Sequence, residues 1–139
     1  MPGRSAFDYA VVRVVPRVER EEFVNAGIIL FCHDRDALVA RIALDEARLL
    51  ALHPEADLET VRVHLEAIPL VCRGGEDAGP IGRLPLRERW RWLTAPRSTI
   101  IQTSPAHVGL AEDLDAVVAH LFDALCAAPG TRPEPSPAR

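Results

Sequence analysis

Arg13, Glu22, Asn25 and Arg41 are the residues whose types and spacing could do chemistry in this chain. Arg13 stands among valines in YAVVRVV, and Arg41 among Val39, Ala40 and Ile42. A guanidinium on a half-buried strand needs a carboxylate or amide partner, because an unpaired buried charge is costly. Glu22 and Asn25 lie one chain reversal away from Arg13, so an Arg13–Glu22–Asn25 cluster is sterically natural. Such a cluster acts as structural glue or as the wall of a ligand site. In the second case the arginines would hold a carboxylate or phosphate bidentately, and Glu22 would be the only acid or base at hand. Gly27 belongs to the same candidate polar site. Glycine inside a strand marks a bulge or a close approach by other atoms, and here it leaves room beside Asn25. Strict alternation places Asn25, Gly27, Ile29 and Phe31 on one strand face.

A second candidate region is basic and aromatic. Residues 83–97 carry Arg83, Arg87, Arg89, Arg91 and Arg97 against the single acid Glu88, with Trp90 and Trp92 interleaved. This pattern fits a partner-binding surface built on Arg87, Trp90, Arg91, Trp92 and Arg97, or a weaker grip on nucleic acid. The plainer reading is an amphipathic helix with a solvated arginine face and Trp90 in the core.

Other chemistries lack their residues. The chain has no lysine, since all 16 basic residues are arginine, so neither a phosphate-loop lysine nor a Schiff-base lysine exists. The histidines, His33, His53, His64, His107 and His120, have no metal-ligand spacing with one another or with a cysteine. No metal and no cofactor is expected, and no catalytic residue is assigned. HDRD at 33–36 reads as a polar turn rather than a kinase catalytic loop. Cys32, Cys72 and Cys126 are odd in number and well separated, which suits small apolar residues in a reducing compartment.

These residues must be positioned by elements the pattern already suggests. Residues 7–15, 24–32 and 37–43 read as strands, the last two joined as an antiparallel hairpin by the turn at 33–36. Residues 45–53 and 58–71 read as helices, the second capped by Asp57 and kinked or ended near Pro69. RGGEDAGPIGR at 73–83 reads as a mobile loop, 85–93 as a short helix and 98–104 as a fourth strand. From Asp113 onward, Leu114, Val117, Val118, Leu121, Phe122 and Leu125 follow a helical period. The fold class is therefore α+β: a mostly antiparallel sheet of about four strands with helices packed on one face. Residues 1–128 form one domain, and the proline-rich 129–139 a disordered tail.

A net charge of −4 and 48% hydrophobic residues suit an ordinary core and make nucleic acid an unlikely partner. No run approaches the roughly 18 apolar residues of a membrane span, and the N-terminus lacks a signal-peptide core, so a cytoplasmic protein is expected. Oligomeric state is left open.

The stretch YAVVRVVPRVEREEFVNAGIILF, residues 9–31, resembles the opening of a bacterial family known as domain of unknown function 3037. The resemblance rests on Tyr9, Arg13, Glu22, Phe23, Val24, Asn25 and Gly27, with the LVARIA strand and the LFDAL helix in support. It extends over most of residues 7–127. It implies no activity. It does imply a context, because genes of this family often stand beside those of HipA-like kinase-fold proteins. The leading expectation is a non-enzymatic module that binds or regulates a protein partner, and the partner the family context implies is a kinase-fold protein. The alternatives are a small-molecule-binding protein or enzyme using the polar site, and nucleic-acid binding through 83–97.

Overall fold

The computed structural model describes residues 3–127 of the chain; the expected tail at 129–139 lies outside the described residues. Five strands, β1 (Ser5–Val14), β2 (Val24–Cys32), β3 (Ala37–Ile42), β4 (Ile101–Thr103) and β5 (His107–Ala111), form one antiparallel sheet. Its order is β3-β2-β1-β4, with β5 continuing beyond β4 along the same edge of β1. Helices α1 (Glu46–Leu52), α2 (Leu58–Arg73), α3 (Leu86–Thr94) and α4 (Leu114–Leu125) complete the fold. The α+β class and antiparallel sheet are as expected. The fifth strand is additional, because residues 107–111 are short, contain Gly109 and are largely exposed.

The helices occupy both sheet faces, which corrects the expectation of one. Ala10, Val12 and Val14 of β1 meet Leu49 of α1, Val61, Leu65 and Ile68 of α2, and Trp90 and Leu93 of α3. The opposite face presents Phe7, Val11, Ile28 and Leu30 to Val118 and Phe122 of α4. An amphipathic period says that a helix buries one side, but not which sheet face it meets.

A bulge in β2 sets the two faces. Val12 stands opposite Gly27, yet Arg13 stands opposite Asn25, so Ala26 has no partner on β1. Val24 and Ala26 face α1–α3, and the next β2 residues on that face are Ile29 and Phe31. The three-residue step breaks strict alternation, so Asn25 does not share a face with Ile29 and Phe31 as alternation predicts.

The helix termini follow their sequence signals. Asp45, Asp57 and Asp113 each accept a hydrogen bond from the backbone N–H three residues on, at 3.1 Å. α2 runs through Pro69 to Arg73 rather than ending there. The glycine-rich segment folds as two 3-10 turns within Glu76–Arg83, broken at Gly79 where φ is 70°, and is closed by the Gly75 N–H donating to the Gly82 carbonyl at 3.0 Å. The 33–36 turn is also a clamp: Arg35 donates to the Ser5 hydroxyl at 2.9 Å and to the carbonyls of Gly3, Ala111 and Glu112.

β4 and β5 share the outer edge of β1 with a break at Ser104–Pro105. The Ser104 N–H donates to the Val11 carbonyl at 2.9 Å, while the Val11 N–H donates to the Ser104 hydroxyl oxygen at 2.9 Å. The hydroxyl thus replaces a ladder carbonyl where the chain departs toward Pro105. Ser104 is 4% exposed. Ser104→Ala should cost about 1–3 kcal/mol in urea unfolding, because the Val11 donor is left buried without an acceptor. A loss below about 0.5 kcal/mol, the range of ordinary surface changes, would show that the hydroxyl is dispensable.

Candidate functional site

The Arg13 guanidinium lies 4.2 Å from the Phe23 ring centroid. Its neighbours across the sheet are Asn25 on β2 and Gln102 on β4. The Arg13 Nε and the Asn25 Oδ1 are both buried without a hydrogen-bond partner, an orphan donor and an orphan acceptor on cross-strand neighbours. The other end of the Asn25 amide is occupied: Nδ2 donates to the Leu125 carbonyl at 3.0 Å and so caps the C-terminus of α4.

The space beside Gly27 is filled by β3. A Cβ there would lie 2.7 Å from the Arg41 carbonyl oxygen and would collide with the Ile42 side chain. The Gly27 carbonyl accepts the Cys126 thiol at 3.5 Å. Arg41 is opposite Ile28, with its guanidinium 4.6 Å from the Phe122 ring of α4. The Asn25–Gly27 segment is therefore the seat of the α4 C-terminus.

Glu22 is not part of this cluster. It pairs with Arg20 at 2.5 Å and faces a separate cleft bordered by Pro16, Arg17, Leu52 and His53. That hydrogen bond holds its carboxyl below the ordinary range, which suits an ion pair and not a base or acid poised near neutrality. Arg13 and Asn25 are thus brought together, whereas Glu22 is directed elsewhere. Arg20, two residues from Glu22, reaches the carboxylate first.

The basic segment divides. Trp90 is buried and stacks on Phe31 at 5.8 Å between centroids, and the Arg87 guanidinium lies 5.6 Å from the same Phe31 ring. Trp90 is thus a core residue and not a surface anchor. Arg91 pairs with Glu88 at 3.2 Å in solvent. Arg89, read from sequence only as one more basic residue, donates to the carbonyls of Val71, Cys72 and Leu84 at 2.8–3.0 Å and ties α3 to the end of α2. Its targets come from another helix, so no local pattern announces them.

Trp92 and Arg97 remain at the surface. Trp92 is 40% exposed, and the Arg97 guanidinium covers its ring at 4.3 Å and donates to its carbonyl. Burial pushes the Arg97 pKa down from its usual value; a guanidinium starts so high that it stays cationic. The pair stands over a groove of about 300 Å3 between α2, α3 and β4, lined by Ala67, Ile68, Leu93, Ile100 and Ile101 among others. Among the described residues, no strand pairs with the outer edge of β4. Ile100 and Ser104 bond toward β1, so by alternation the peptide groups of Ile101 and Thr103 point away from it. The Thr99 hydroxyl donates to the Ile101 carbonyl at 2.9 Å, which leaves the Ile101 N–H and both Thr103 groups directed outward. A second cleft, of about 410 Å3, is lined by Arg13, Glu19, Glu21, Phe23, Ser98 and others. Arg97 and Gln102 line both.

Nucleophilic and metal chemistry find little here. Burial pushes the Cys72 thiol up to about 12 and the Cys126 thiol up to about 11, so both are protonated at neutral pH. Among the described residues, no group of three or more His, Cys, Asp or Glu side chains is arranged to hold a metal ion, and no helix is long and apolar enough to cross a membrane.

The chain belongs to the DUF3037 family: the family model described as Protein of unknown function (DUF3037) matches residues 9–126. No curated protein and no solved structure matches.

Two predictions follow from this geometry. Gly27→Ala should destabilise by about 1–3 kcal/mol, as overpacking against backbone does. Chemical denaturation reads the effect, and wild-type stability would contradict the close approach of β3. The cysteines predict an alkaline limb. Folding raises both thiols above 9.0, so their contribution is full below about pH 9 and is lost as pH rises toward 11–12, where the unfolded chain releases those protons first. Because the chain has no lysine, no side-chain ammonium titrates in that limb. Unfolding free energy should be steady up to about pH 9 and then fall, by up to about 1.4 kcal/mol per pH unit for each thiol. Cys72→Ala should flatten the slope; an unchanged slope would exclude this thiol as its source.

Proposed function

We propose that this DUF3037 member is a binding module that accepts an extended segment of a partner protein in the groove between α2, α3 and β4. The observation that carries this reading is the apolar groove beside an unpaired strand edge, with Trp92 and Arg97 at its rim. Extended peptides add to such edges through main-chain hydrogen bonds, and adjacent pockets select alternate side chains. Trp and Arg are the residues that most often carry interface energy. The groove supports the surface expected from the sequence in its Trp92–Arg97 part, with Trp90 removed from it.

A catalytic reading has less support. Glu22 is held in an ion pair away from Arg13, and Cys72 and Cys126 are protonated. Nucleic-acid binding has less support as well, since Arg89 is spent on helix carbonyls and Arg91 on Glu88. A kinase-fold partner in the cytoplasm is the first candidate for the groove's ligand; the family resemblance and the sequence alone suggest it.

Selection from a phage-displayed library of random linear peptides tests the reading. Enriched peptides should share apolar residues at alternate positions. They should bind Trp92→Ala or Ala67→Arg at least about 10-fold more weakly, which is about 1.4 kcal/mol. Ala67 is exposed on α2, so its substitution fills the groove mouth without touching the core. Failure to enrich any peptide, or equal binding by both variants, would refute the proposal.

A further inference from the structure

We infer that the segment taken by this groove carries a carboxylate, and that Arg13 and Arg97 receive it in the adjoining cleft. The inference rests on the groove reading above and adds the ligand's chemistry to it. The apolar groove and the polar cleft are contiguous, because Arg97 and Gln102 line both. A ligand lying in the first therefore reaches the second without leaving the surface.

The cleft presents two guanidiniums without acidic partners. Among the described residues, neither Arg13 nor Arg97 forms an ion pair; the Arg13 Nε is buried, so its terminal nitrogens are the ones a ligand meets. Each guanidinium lies over an aromatic ring, Arg13 on Phe23 at 4.2 Å and Arg97 on Trp92 at 4.3 Å. A guanidinium stacked by its face can still offer edge N–H groups to a carboxylate; Arg97 spends only Nη2, on the Trp92 carbonyl. The stacking also restricts both side chains before any ligand arrives, so little freedom is lost on binding. The Ser98 hydroxyl and the Gln102 amide add neutral donors in the same cleft.

The acids already present do not satisfy these arginines. Glu19 lines the cleft but is held by Arg17 through Nε at 3.1 Å and Nη2 at 2.8 Å. Glu21 also lines it, as an exposed residue in left-handed backbone at φ 55°, and a fully solvated carboxylate is strongly screened. Positive charge beside an apolar groove thus selects a segment that joins apolar residues to an acidic side chain or a free C-terminus.

The test is NMR titration of the full chain with three acetylated peptides at millimolar concentration. These are Leu-Val-Leu-Glu amide, Leu-Val-Leu-Gln amide, and Leu-Val-Leu-Gln with a free C-terminus. Both carboxylate-bearing peptides should move the Trp92 indole N–H and the Nε–H signals of Arg13 and Arg97. The neutral peptide should move Trp92 alone and bind about 10-fold more weakly, the scale of one charge-assisted hydrogen-bonded pair. Arg13→Gln, or Arg97→Gln if the first variant folds poorly, should erase the preference while leaving neutral-peptide binding in place. Equal binding of all three peptides with the arginine signals unmoved would overturn the carboxylate and leave the groove standing. No shift in any signal would overturn both.

Discussion

The bulge at Ala26–Gly27 is the constraint on which the rest of the architecture depends. One unpaired residue in β2 reverses the facing of everything after it. Val24 and Ala26 therefore join Ile29 and Phe31 against α1–α3, while Ile28, Leu30 and Cys32 turn to α4. Without that step, half of β2 would present its apolar side chains to the wrong layer. Glycine is required at the irregularity because the backbone of β3 passes beside it, with the Arg41 carbonyl only 2.7 Å from where a Cβ would stand. Beside this irregularity the Gly27 carbonyl accepts the Cys126 thiol, and Asn25 Nδ2 donates to the last carbonyl of α4. Sheet register and the docking of a helix distant in sequence are thus one problem with one local solution.

The outer edge of β1 shows a complementary economy. β1 is the central strand and must be bonded along both edges, yet the chain supplies its outer partner in two short pieces. Pro105 interrupts them and has no N–H to offer. The Ser104 hydroxyl bridges the gap by accepting from Val11, which keeps the Val11 N–H of this interior strand paired. This arrangement leaves β4 only three residues long, and its free edge opens onto the space between α2 and α3. The groove is a consequence of how the broken strand is repaired.

What was legible in the sequence follows from the range of the forces concerned. Helix caps at Asp45, Asp57 and Asp113 act within one turn and are visible in the chain itself. The β2–β3 hairpin is equally local. Helical spacing allowed Trp90 a place in the core, but the candidate surface still included it beside Trp92, and only the fold separates the buried ring from the exposed one. Arg13 and Asn25 could be brought together by counting across one reversal, but Glu22 could not be kept with them. Its competition with Arg20 is decided by side-chain reach in a 3-10 turn at Val18–Arg20, not by position along the strands. Arg89 and Arg35 were beyond reach, since both donate to carbonyls that only tertiary structure assembles. The side taken by α4 was beyond reach for the same reason.

The remaining polar residues point to where the molecule meets something else. Several arginines are spent internally or on neighbours: Arg35 and Arg89 on carbonyls, Arg62 on Glu46, Arg17 on Glu19. Arg13 and Arg97 share a cleft and hold their positions by stacking on rings, which fixes a guanidinium without neutralising it. A fold under selection for stability alone would set a carboxylate between two such groups, and Glu19 and Glu21 are near enough to show that acids were available. Glu19 is instead committed to Arg17. On the binding reading proposed above, leaving positive charge unpaired beside an apolar groove would exchange a little stability for selectivity toward an acidic, partly apolar chain. That exchange is what separates a binding surface from a merely solvated one.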